Sequence, residues 1–191
     1  MTCDAVGPRS QYGALCWRMR RDRVEVLLIT SRDTGRWVIP KGWPMAGLAP
    51  EAAAAREAWE EAGVEGAVDG ASAGCYTYQK VLGPTNAVPC EVAVFGLRVA
   101  RLVAQFPERK QRRRKWFSVA KAARKVWEPE LRSLMLGFVP PKGRVKLAGK
   151  GAQAAALTQA TDHDARAAAL LADWQAQDSE ATEAALHQDG V

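Results

Sequence analysis

The stretch "PKGWPMAGLAPEAAAAREAWEEAGV" runs from Pro40 to Val64 and closes on three glutamates within five residues, Glu57, Glu60 and Glu61. Like charges at helical spacing repel, so a helix that needed only solubility would dilute them with lysine. Pro50 suits a first helical turn and Gly63 the left-handed position just past a helix end, which predicts a helix from Pro50 to about Ala62. At about 100° per residue the glutamates share an arc of about 100°. Ala52, Ala55, Trp59 and Ala62 fall on the opposite side, with Ala58 at its margin, and are the expected contacts to a sheet. Converged carboxylates suit a hard divalent cation such as Mg²⁺, which takes oxygen ligands and turns the repulsion into attraction. A solvated acidic helix face is the plain alternative, and these three residues alone leave the two readings level.

On either side of this stretch the chain alternates like strands. "YGALCWRM" (Tyr12–Met19) and "VEVLLIT" (Val24–Thr30), split by the polar "RRDR", read as a hairpin. "RWVIP" follows the turn signal Asp33-Thr34-Gly35. "AGCYTYQKVL", "CEVAVFGLRVARLV" and the short "RKWF" read as further strands. Ser118 is placed to cap a helix over "VAKAARKV", and "PELRSLMLGF" from Pro129 reads as another. The order predicts a mixed α/β (α+β) domain over residues 10–138, after a flexible segment 1–9. Residues 139–191 are rich in Ala, Gly, Lys and Gln and too poor in large apolar side chains to offset the entropy of ordering. They read as a tail, with a transient helix near Ala165–Gln177 and Trp174 as an unanchored aromatic or a docking point.

The chain has 191 residues, 48% hydrophobic and 25% charged, which fits a soluble globular protein. No run of 18 apolar residues and no basic-then-apolar leader are present, so membrane partners are not expected. Cys3, Cys16, Cys75 and Cys90 show no metal-ligand spacing and read as free thiols, which points to the cytoplasm. Residues 1–138 carry 22 basic against 14 acidic side chains, a net +8, whereas 139–191 carry −2. Such a balance suits an anionic ligand, either phosphates or nucleic acid.

With Gly42, Arg56, Glu57, Glu60, Glu61, Gly63 and Val64 in register, and Ala58 at the first apolar place, the opening stretch resembles the Nudix hydrolase signature Gly-x5-Glu-x7-Arg-Glu-U-x-Glu-Glu-x-Gly-U. The resemblance implies a mixed sheet sandwiched between helices, with a loop-helix-loop catalytic motif, and metal-dependent hydrolysis of a phosphoanhydride. It further implies that Glu57, Glu60 and Glu61, with the Gly42 carbonyl, hold Mg²⁺ or Mn²⁺. Glu57 or Glu60 would take the proton of the attacking water, and Arg56, four residues before Glu60, would orient carboxylates. One position departs. The signature asks for glutamate six residues after Gly42, and this chain has Leu48. Leucine neither ligates metal nor accepts a proton, and Glu51 is out of register. Activity carried by the trio is the favoured reading; a catalytically silent ligand-binding domain is the alternative.

"LLITSRDTGRWVIPKG" and "RRKWFSVAKAARKV" look like the branch that hydrolyses diphosphoinositol polyphosphates and dinucleoside polyphosphates. Arg109–Lys115 places six cations in seven residues. Arg114 from this run, with Arg18, Arg32 and Lys41, is the expected clamp on a phosphorylated small molecule. Trp37, Trp43, Tyr76 and Tyr78 are candidates for stacking on a base or for packing. A nucleoside triphosphate or nucleotide-sugar hydrolase remains open, and RNA binding through the basic run ranks last, with no RNP-type aromatic motif beside it.

Overall fold

The computed structural model describes residues 7–83 and 86–141. Readings that fall on residues 1–6 and 142–191, including the alanine-rich tail and Trp174, lie outside the described residues.

The predicted hairpin forms. β1 (Arg9–Arg20) returns as β2 (Arg23–Thr30) through Arg21 and Asp22, both at positive φ (47° and 59°), a two-residue turn whose twist suits a hairpin. The two strands pair only from Trp17↔Val26 to Arg20↔Arg23 and then splay. Trp37–Gly42 fills the wedge. β3 (Trp37–Val38) pairs with β2 at Ile29, β4 (Lys41–Gly42) pairs with β1 at Tyr12, and the Ala14 N–H donates to Pro40 O at 2.9 Å between them. The glycine loop is therefore anchored on both sides before the helix begins.

α1 (Pro50–Ala62) has the predicted bounds, and Gly63 closes it at φ 61° with its N–H 2.8 Å from Trp59 O. A Cβ at Gly63 would meet Phe106 at 2.6 Å and Val103 O at 2.9 Å, so close packing demands glycine as well as the dihedral. β5 (Val64–Gly83) and β6 (Asn86–Leu102) form a long antiparallel ribbon with several register shifts. β6 runs parallel to β1, and β7 (Arg114–Ser118) adds to the other edge of β2 with Trp116 opposite Leu27. α2 (Val119–Ala123) and α3 (Pro129–Gly137) complete the order. The result is the expected mixed sheet between helices.

Period-two alternation gives the sheet two apolar faces. Ala14, Cys16, Leu27 and Ile29 pack against Ala54, Ala58 and Ala62 of α1. Leu15, Val26, Leu28, Tyr76 and Val92 pack with Ala122, Leu131 and Met135 on the α2/α3 side. The helix face differs from the expected one. Ala54, Ala58 and Ala62 form an i, i+4 stripe on the sheet, Ala53 and Glu61 are also buried, and Trp59 is only partly covered. A stripe of small residues lets the axis approach closely, and this rotation turns the glutamates toward the glycine loop. Ser118 stands at the N-cap of α2, but its side chain makes no capping hydrogen bond. Among the described residues no helix is long and apolar enough to cross a membrane.

Candidate active site

Gly42 and Glu57 define the centre. A Cβ at Gly42 would overlap the Glu57 carboxylate, so only glycine lets that carboxylate settle against the loop backbone. One turn further, Glu61 accepts the Lys41 backbone N–H at 3.0 Å. The helix thus holds the loop through two carboxylates, one seated on Gly42 and one bonded to its neighbour.

Each remaining acid has a cation. Arg56 Nε donates to Glu60, the i, i+4 pair the sequence predicts. Arg112 bridges Glu61 and Glu108 through its guanidinium and donates to Thr30 O at 3.0 Å; the side chains of Arg112 and Glu61 are both 8% exposed. Glu108 reaches the helix because its N–H bonds Glu60 O at 3.1 Å. Of Glu57, Glu60, Glu61 and Glu108, Glu57 alone has no ion pair within 4.0 Å. Burial, with the charges of Glu61, Glu60 and Glu108 adding to it, pushes the Glu57 carboxyl up to about 8. Burial also raises Glu61, against the pull of Arg112 and Lys41.

Among the described residues no three His, Cys, Asp or Glu side chains stand in ready metal-holding geometry. The trio shares one end of the helix without meeting at one point, because Arg56 and Arg112 hold Glu60 and Glu61 to separate partners. The donor set nonetheless fits a divalent cation: oxygen ligands only, one carboxylate lacking a counter-charge, and a cradle that a side chain at residue 42 would fill.

The expected phosphate ligands divide. Lys41 lies in the site, its Nζ 5.0 Å from the centre of the Tyr78 ring. Arg32 reaches the rim through Glu108, at 3.4 Å. Arg18 is not brought in. Its guanidinium bonds Glu25 at 2.6 and 2.8 Å and lies over Trp116, six residues along β1 from the Tyr12↔Gly42 pair, roughly 20 Å away. Arg114 is also committed elsewhere, donating to Ala62 O and, at 2.9 Å, to Val103 O, where it ties off the C-terminal end of α1. Both have one cause: these cations already satisfy acceptors of the protein itself. Of the aromatics, Tyr76 is buried and Trp37 packs edge-on to Phe117 at 5.1 Å, so both serve the core.

Sequence reasoning missed Glu108 and Arg112, which a loop between β6 and β7 carries to the helix. Only the density of charge in 108–115 signalled them.

A sheet splayed around a glycine loop, with an acidic helix behind it, defines a NUDIX domain. The chain matches that family over residues 9–138 and belongs to it. It is 30% identical over 150 residues to human diphosphoinositol polyphosphate phosphohydrolase 3-alpha, covering 74% of this chain and 87% of that protein. With the mouse 3-alpha protein the identity is 38% over 65 residues, a match spanning only 40% of that protein's length and 34% of this chain. The fold is shared with E. coli dihydroneopterin triphosphate pyrophosphohydrolase (TM-score 0.54, 16% identity, 68% of this chain and 94% of that one). It is shared too with a C. elegans Ap4A hydrolase binary complex (TM-score 0.51, 21% identity, 67% and 93%).

Proposed function

We propose that the domain hydrolyses a phosphoanhydride bond in a highly phosphorylated small molecule, a diphosphoinositol polyphosphate or a dinucleoside polyphosphate. One observation carries the reading: Glu57 rests on the bare backbone of Gly42 without a counter-charge while Glu60, Glu61 and Glu108 crowd the same helix end. Glu57, Glu60, Glu61 and the Gly42 carbonyl would hold Mg²⁺ or Mn²⁺. Bound metal supplies polarisation of a phosphoryl oxygen and a more acidic water. The Lys41 N–H keeps Glu61 aimed at the loop, Arg56 steadies Glu60, and Glu57 or Glu60 takes the proton of the attacking water. The name of the human relative, which matches most of this chain, supports the inositol class. Nucleoside triphosphates and nucleotide sugars are the runner-up substrates. Free thiols at Cys16, Cys75 and Cys90 support placement in the cytoplasm.

A second reading has its own observation. Leu48 stands where the signature has glutamate, and Arg56 Nη1 is buried without a hydrogen-bond partner. On that reading the domain binds a phosphorylated ligand and does not cleave it.

The deciding experiment measures phosphate release from a polyphosphate panel in Mg²⁺ and in Mn²⁺. Wild-type protein turns over at least one member, and E57Q lowers kcat by about 10²–10⁴-fold with little change in KM. Silence of the wild type across the panel, with polyphosphate binding retained, replaces the hydrolase by the silent binder.

A further inference from the structure

Around the glycine loop, most cations are already neutralised. Arg32 pairs with Glu108, Arg36 with Glu128, Arg56 with Glu60, and Arg112 with Glu61. Three others are held differently. Arg9 and Lys80 lie over the Trp43 ring at 4.8 and 4.5 Å from its centre, and Lys41 lies over Tyr78 at 5.0 Å. None of the three has an acidic partner within 4.0 Å among the described residues. An aromatic face positions a cation without cancelling its charge, so Arg9 and Lys80 keep theirs for an anion, while Lys41 is buried and shares its field with Glu61.

Strand register gathers them on one face. Tyr76, Tyr78 and Lys80 alternate along β5, and Tyr76 belongs to the α2/α3 core. Arg9 and Gln11 share that face with the buried Leu15 of β1. A Cβ at Gly13 would meet the Lys41 Cβ at 3.4 Å, which puts the Lys41 side chain there as well. The Tyr78 hydroxyl donates to the buried Gln11 at 2.7 Å and fixes the ring under Lys41. Lys41 joins this face to the carboxylates, since its own backbone N–H holds Glu61.

We propose that Arg9, Lys41 and Lys80, set by Trp43 and Tyr78, form the subsite that takes the phosphates of the substrate not undergoing cleavage, and so select compact polyanions. The proposal rests on the hydrolase reading for the word substrate, but its binding chemistry stands alone. The shared ligand chemistry is a cluster of phosphates, which a cyclitol polyphosphate and a linear polyphosphate both present.

The test titrates the full chain, free of divalent metal, with inositol hexakisphosphate and separately with tripolyphosphate, by calorimetry. Wild-type protein binds, R9M/K80M weakens binding at least about tenfold, and R18M changes it less than about twofold. Preference for one probe identifies the ring or the linear source. K80M alone, on the strand surface, gives an intermediate loss and keeps the test decisive if the double variant folds poorly. In turnover, R9M/K80M raises KM for a hexakisphosphate-based diphosphate about tenfold and leaves kcat unchanged. Binding without turnover in the wild type sinks the hydrolase and spares the subsite. Turnover with unchanged Kd and KM in R9M/K80M, no wild-type binding of either probe, or equal losses in R18M, overturns the subsite.

Discussion

The run Arg109–Lys115 and the trio Arg9, Lys41 and Lys80 hold positive charge in opposite ways. In the run, Arg112 is spent on two carboxylates and a carbonyl, and Arg114 on two carbonyls at the end of α1. In the trio, drawn from β1, β4 and β5, rings hold the cations and acids do not. Arg112 and Arg114, at the centre of the densest basic stretch, therefore serve the fold, whereas the sparse trio makes no ion pair within 4.0 Å among the described residues. Charge density along a chain measures supply; only pairing in three dimensions decides what is still available.

The strongest attack on this comparison is R112M. Removing the guanidinium leaves Glu61 and Glu108 charged and poorly solvated at the helix, and breaking a buried pair from one side costs about 3–5 kcal/mol. Chemical denaturation of R112M should show a loss of that size, whereas R9M should stay within about 0.5 kcal/mol of wild type. If R112M is as stable as R9M, the run is not structural and the contrast fails.

A pH series sharpens the same contrast from the acidic side. The folded Glu57 carboxyl titrates near 8, above its ordinary value of 4.5, so the metal-free folded state holds this proton more tightly than the unfolded chain. Its stabilisation is complete below about 4.5 and disappears as pH climbs to about 8. The contribution to the slope is at most about 1.4 kcal/mol of stability lost per pH unit within that window. Denaturation midpoints of the metal-free protein should show this slope, and E57Q should remove it. Saturating Mg²⁺ or Mn²⁺ should flatten it as well, with a proton released on binding below pH 8. An unchanged slope in E57Q would mean that the crowded helix end does not raise this carboxyl.

The smallest expected effect concerns Arg56, a cation neutralised on one side only. Its Nε is taken by Glu60 and its Nη1 is buried without a hydrogen-bond partner, while Leu48 stands two residues before Pro50 at the start of the helix. Supplying the signature's glutamate, L48E, gives the buried Nη1 a partner and should raise stability by about 0.5–1.5 kcal/mol, seen as a higher denaturation midpoint. A fall in stability would show that Nη1 points away from residue 48.

Much of the fold was legible because its signals are local. Pro50 and Gly63 mark the helix ends through backbone chemistry, and alternation marks the β1–β2 hairpin. The first half of β5, "VEGAVDGAS", was not legible. Glycines and polar residues there give no alternation to read, and the segment becomes strand because β6 offers partners from Leu97 to Leu102. The helix face was misjudged for a related reason. Alanine-rich turns look apolar all round, and contact with Cys16, Leu27 and Ile29 selects Ala54, Ala58 and Ala62.

The amino-acid sequence by itself determined the family, the limits of the acidic helix and the Arg56–Glu60 pair, because these depend on spacing within a few turns of one chain. Tertiary structure alone decided which cations are free. Glu108 and Arg112 lie some fifty residues from the glutamates they join, and Arg9, Lys41 and Lys80 come from three strands. A charge pairs with whatever is nearest in space, and distance along the chain does not report that.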